Sequence, residues 1–177
     1  MRLNLLAALA SSVALLFGVA ACGGPAYPIS DWEAYRNEPY GYEIRYPKDS
    51  QILAGHETLT IYLAFAPATN LREKFLVITV RESAPQECAN PLPTIILDTE
   101  FVQVGGIEFR KEIGEDRAAG STYESINYST LRGNRCFGLS FVLHSVNPMN
   151  YDVPPPTFDR EMESEMFMPI LSTFRFV

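Results

Sequence analysis

Tyr40-Gly41-Tyr42-Glu43-Ile44-Arg45-Tyr46-Pro47 is the stretch whose reading decides the fold. Tyr40, Tyr42, Ile44 and Tyr46 alternate with Gly41, Glu43 and Arg45. An extended chain with this two-residue period sets large apolar groups on one face and charges on the other. Pro47 supplies no backbone N–H to a ladder and ends the run. The period is that of a half-buried strand, not of a helix.

The same period recurs downstream. In residues 58–65, Leu59, Ile61, Leu63 and Phe65 alternate with Thr58, Thr60 and Tyr62. Residues 75–81 are apolar on both faces, as a central strand should be. Residues 84–94 carry Pro85, Cys88, Pro91 and Pro93 and read as a loop. Residues 100–104 and 107–113 flank Gly105-Gly106, a hairpin with a tight turn. Residues 119–131 and 135–144 form two further strands about a Gly133-Asn134 turn, with Phe137, Leu139, Phe141 and Leu143 on one face.

Helices are expected at the two ends. Ser30 followed by Glu33 is a capping-box pattern, which predicts a short helix from Asp31. A second helix should begin near residue 157 or 158, with Phe158, Met162 and Met166 as its buried stripe. Pro169 should end or kink that helix, and residues 173–177 can return as a short strand. The expected class is α+β: a twisted antiparallel sheet flanked by helices.

Ahead of this domain stands a different kind of segment. Arg2 is the one charge among the first thirty residues, an apolar run extends from about Leu3 to Val19, and Ala20-Ala21 lead into Cys22. Positive start, apolar middle and small residues before a cut site make a secretory signal peptide. Ending on a cysteine, this one resembles the bacterial lipoprotein signal, the lipobox. The resemblance implies that residues 1–21 are removed and that Cys22 is thioether-linked to diacylglycerol and often acylated again, with palmitate for example. Two or three chains on one residue give stable anchoring where a single chain binds marginally. An uncleaved signal anchor and secretion as a soluble protein are the alternatives. Residues 22–30 read as a short tether, reaching about 26 Å at roughly 3.3 Å per residue over eight residues, and residues 31–177 as a single domain.

The strand Tyr40 to Pro47 resembles the opening of PsbP-like domains, where an aromatic-rich strand after a Tyr-Gly or Phe-Gly pair ends on Tyr-Pro. The closing Ile170-Leu171-Ser172-Thr173-Phe174-Arg175-Phe176 is similar to the end of such domains. The resemblance implies an αβα sandwich around a twisted antiparallel sheet. Plant and cyanobacterial members are extrinsic subunits of photosystem II, and many bacterial lipoproteins share the domain. No functional motif of the family is matched here residue by residue, so no metal-binding or photosystem role is carried over.

Composition narrows the function. The chain has 177 residues, 47% of them hydrophobic, with 14 basic and 21 acidic side chains and a net charge of −7. That is enough apolar material for one real core, and the charge argues against nucleic acid as a partner. With Cys22 lipidated, Cys88 and Cys136 remain. An even pair in an oxidising compartment suggests a disulfide, with two buried free thiols as the alternative. Such a bond would constrain the unfolded chain by roughly 4 kcal/mol.

No catalytic signature emerges. His56 and His144 lie far from the cysteines, without metal-ligand spacing. Asp159, Glu161, Glu163 and Glu165 suit the start of a helix and read as a solvated face. His144, Ser145 and Asn147 form the one polar cluster that could line a cleft, against the plainer reading of strand-end hydrogen bonding. Tyr27, Trp32, Tyr35, Tyr40, Tyr42 and Tyr46 are a partner surface or, more simply, core. The sequence thus points to a non-enzymatic lipoprotein, needing no cofactor or metal, on the extracytoplasmic face of a bacterial membrane in the cell envelope. It would serve an envelope protein or complex as an accessory or binding module. The alternative is a binding protein for a small apolar ligand held between sheet and C-terminal helix. A hydrolase built on His144 is a third reading, and it requires an acid and a nucleophile within reach of the ring.

Overall fold

The computed structural model describes residues 28–82, 88 and 95–177. Cys22, Tyr27 and the signal-like segment lie outside the described residues, as does most of the expected loop 84–94. Two antiparallel sheets account for the strands. β1 (Glu33–Asn37), β2 (Tyr42–Tyr46) and β10 (Arg175–Phe176) form a small sheet in the order β1-β2-β10. The large sheet has seven strands in the order β3-β4-β5-β9-β8-β7-β6. Its members are β3 (Gln51–Ala54), β4 (Thr58–Tyr62), β5 (Leu71–Glu82), β6 (Ile95–Val104), β7 (Ile107–Ala118), β8 (Ser121–Arg132) and β9 (Arg135–Val146).

Register makes one face of this sheet apolar. Across β5, β9 and β8 the partners run Leu76, Phe141, Ile126 and, one pair on, Ile78, Leu139, Tyr128. Small sheet and terminal segment cover this face. Tyr42 meets Phe174 at 5.8 Å between ring centres and Phe137 at 6.1 Å. Phe167 stacks on Phe141 at 4.6 Å. Tyr42 and Tyr46 are therefore core, with the partly buried Trp32, Tyr35 and Tyr40 packed against it.

The helical part differs from expectation at both ends. No helix starts at Asp31: a single 3-10 turn, Ile29–Asp31, has no side-chain cap, and the chain turns directly into β1. The ladder offered by β2, from Glu33↔Tyr46 to Asn37↔Tyr42, outweighs the local capping pattern. At the other end stand two short helices, α1 (Arg160–Ser164) and α2 (Phe167–Ser172). The break falls at residues 165–166, upstream of Pro169. Pro169 is thereby placed in the first turn of α2, where a missing N–H costs no helical bond. The buried positions are Glu163, Phe167, Ile170 and Leu171, while Met162 is exposed and Phe158 and Met166 are half-buried. Helical cover is thus sparse, and the domain is mostly antiparallel sheet.

Cys88 and Cys136 form a disulfide across 48 positions of sequence. Cys136 points to the second face of the sheet, and Ser129 Oγ donates to the Cys88 carbonyl at 3.3 Å. Residue 88 is so held over that face.

Candidate functional site

Of the polar cluster read from the sequence, Ser145 and Asn147 line one open cavity of about 490 Å³, and His144 does not. Neighbours in a strand point to opposite faces, and Ser145 is buried away from His144. Asn147 Oδ1 accepts from Met149 N–H at 3.0 Å and caps a 3-10 turn, Pro148–Asn150. His144 has other partners: Nδ1 lies 2.7 Å from Glu73 Oε2, and Tyr123 stacks on the ring at 4.2 Å. Glu73, His144 and Tyr123 are register partners on β5, β9 and β8, so the trio locks three strands together. Nε2 is buried and meets no hydrogen-bond partner among the described residues. An acid is therefore present at the imidazole, and among the described residues no nucleophile is hydrogen-bonded to it. His56 is exposed and bonds Tyr40 Oη at 3.2 Å.

A cavity of about 290 Å³ lies elsewhere, between the large sheet and the terminal helices. Its floor is a grid two rows deep on three strands. Ile113, Ile126 and Phe141 form one row; Glu115, Glu124 and Leu143 form the next, in register. Arg160, Ser164 and Phe167 roof it, and Leu97 closes one side. Leu97 sits where the pairing of β6 with β7 shifts register, between Ile96 and Asp98. Such a bulge re-aims one side chain. Ile113 and Ile126 have the inward parity of core residues yet are only half-buried, because the space above them is open.

Helix α1 owes its seat to charge. Glu163 Oε2 lies 3.0 Å from Lys74 Nζ, its Oε1 accepts from Ala66 N–H at 2.8 Å, and Lys74 sits 5.9 Å over the Phe167 ring. Asp159 caps the helix, accepting from Met162 N–H at 3.1 Å. The expected solvated acidic face is thus interrupted: Glu163 is turned inward. Arg160 spans the mouth, its Nε donating to Glu124 Oε2 at 2.6 Å and its Nη2 to Glu124 Oε1. That paired carboxylate holds the guanidinium pKa above its usual value. Among the described residues no group of three or more His, Cys, Asp or Glu is placed to hold a metal ion. Among them, too, no helix is long and apolar enough to cross a membrane.

The expected stripe of Phe158, Met162 and Met166 does not line the cavity. Its walls come from residues the stripe did not include, Leu97, Ile113, Ile126 and Phe167 among them. A sequence signal exists in retrospect. Glu115 and Glu124 each stand two residues from an isoleucine, Ile113 and Ile126, and so share the inward parity of an apolar neighbour on the same strand.

Comparison with known proteins gives likeness of fold. No family model and no curated protein sequence matches the chain. A crystal structure from Bacteroides thetaiotaomicron is similar at TM-score 0.52 and 15% identity, over 83% of this chain and 49% of that one. This chain thus spans about half the length of that protein. The solution structure of a cyanobacterial PsbP from Synechocystis is similar at TM-score 0.48 and 11% identity, over 90% and 99% of the two chains. A protein of unknown function from Pseudomonas aeruginosa is similar at TM-score 0.40 and 13% identity, over 80% and 94%.

Proposed function

We propose that this chain is a lipid-anchored extracytoplasmic protein whose PsbP-like domain binds a small apolar ligand in the cavity between sheet and α1. It performs no chemistry of its own on this reading. One observation carries it: a cavity walled by Ile113, Ile126, Phe141 and Phe167 lies beneath a helix whose one buried side chain, Glu163, is an acid paired with Lys74. Pockets of this kind, apolar with a few convergent polar groups, are the usual form of a small-molecule site. Lipidation at Cys22 would keep the domain within a short tether of the bilayer, where apolar molecules concentrate.

The test is stabilisation by small apolar probes. Heptanol or toluene should raise the melting temperature of the wild type by mass action. Ser164→Phe, which fills the cavity from its roof, should remove that rise. Equal responses in both proteins would mean that the cavity is not the site.

A second reading, an accessory module docked on an envelope protein or complex, is favoured by β6. This strand is an edge of the large sheet, and Ile95, Ile96, Leu97 and Phe101 are all exposed on it. An edge of this character is a template for a partner's strand.

A further inference from the structure

We infer that Arg132 and Arg135 clamp a phosphate group at one end of the large sheet. The lipid headgroups of the bilayer are its source, a part of the inference that rests on the anchor at Cys22 proposed above. The two arginines stand directly opposite each other across β8 and β9, beside the Gly133-Asn134 turn. Like charges in this position repel. The chain has 21 acidic side chains against 14 basic ones, yet neither guanidinium forms an ion pair among the described residues. Glu38 lines the same open cavity of about 350 Å³ but is taken by Arg36 at 2.6 Å. Glu82, opposite Arg135 on β5, forms no pair with it.

Both side chains are oriented and keep donors to spare. Arg132 lies 4.6 Å over the Phe176 ring and gives Nη1 to the Gly41 carbonyl at 3.3 Å. Arg135 lies 5.3 Å over the Tyr40 ring and gives Nη1 to the Pro39 carbonyl at 3.3 Å. A ring face and one bond thus position each guanidinium. Nε and Nη2 of both remain without a hydrogen bond among the described residues. The two oxygens of a carboxylate lie in one plane and are filled by a single fork. A phosphate is tetrahedral, so forks arriving from two sides each find an oxygen. Its negative charge also relieves the opposition of the two arginines.

The N-terminal part of the chain leads to this same end of the sheet. Ile29 and Ser30 share one cavity with Gly105, and Gly106 shares another with Arg132. The Gly105-Gly106 and Gly133-Asn134 turns therefore lie together. Cys22 stands six positions before Pro28, a reach of about 20 Å at roughly 3.3 Å per residue. An anchor there brings this end, with both arginines, close to the headgroup phosphates.

The experiment uses the full chain in a phosphate-free maltoside detergent at constant ionic strength, with arginine Nε–Hε signals followed by NMR. The probes are glycerophosphoglycerol, which is a soluble lipid headgroup, inorganic phosphate and acetate. The expected result is saturable movement of the Arg132 and Arg135 signals by both phosphates, with acetate requiring at least about tenfold higher concentration. Arg132→Lys keeps the charge and loses the fork, and should weaken both phosphates at least about tenfold. Arg72→Gln, at the other end of β5, should leave binding unchanged. Movement by inorganic phosphate without a response to glycerophosphoglycerol would keep the clamp and overturn the headgroup. Acetate equal to phosphate, or an undiminished response in Arg132→Lys, would overturn the clamp itself. None of these readouts depends on lipidation of Cys22, so failure of the clamp and failure of the anchor are separate results.

Discussion

Lys74 on β5 and Glu163 on α1 face each other with Nζ and Oε2 3.0 Å apart, at 7% and 4% side-chain exposure. A five-residue helix has no stability of its own in water, so this contact and the Ala66 N–H bond to Glu163 fix where α1 lies. Removing one partner strands the other charge in the interior, at a cost of about 3–5 kcal/mol, whereas removing both can be nearly neutral. Lys74→Met should therefore lower the denaturant midpoint strongly, and the double variant Lys74→Met with Glu163→Leu should recover most of it. Equal losses in the single and double variants would show that the pair is not what seats the helix.

The disulfide ties residue 88 to β9. Opening it should cost roughly 2–4 kcal/mol, mostly through the longer reach of the unfolded chain. Urea unfolding with and without reductant reads this directly, and Cys136→Ser should match the reduced wild type. A reductant-insensitive midpoint would mean that the bond does not form in the protein.

Alkaline pH should unfold the domain in a defined window. Burial lifts the Tyr42 phenol well above its ordinary value near 10, and burial with the Glu100 charge pushes Tyr128 up to about 12. The folded state keeps these phenols neutral while the unfolded chain ionises them near pH 10, so their contribution is whole below about 10 and falls as pH rises toward 12. Stability measured by urea titration should be level up to about pH 10 and then decline. Phenolate absorbance should show the two groups ionising only with unfolding.

Lipidation has a simple readout. Cells fed an alkyne analogue of palmitate should label the wild-type chain and leave Cys22→Ala unlabelled. Label on both, or on neither, would contradict the anchor.

Much of the fold was legible where strands alternate. Tyr42, Ile44 and Tyr46 mark β2, and Phe137, Leu139, Phe141 and Leu143 mark β9, because one face of each is buried and the other is not. β3 carries no such mark, since all four of its residues are exposed and it exists only as an edge paired to β4. β1 was hidden by a local helix signal that the β2 ladder overrides. The cavity was legible only as a place, sheet against terminal helix. Its lining was misread because the buried stripe of the helix includes Glu163, and an acid reads as solvent-facing until Lys74 is brought beside it by the pairing of β5 with β9.

The ligand site is tested most directly by what the protein carries. The chain extracted from its own membranes should show, by native mass spectrometry, an added small-molecule mass that is absent from Ser164→Phe prepared alongside. A wild-type protein free of such mass, or one whose adduct persists in Ser164→Phe, would contradict binding in the cavity between Ile126 and Phe167.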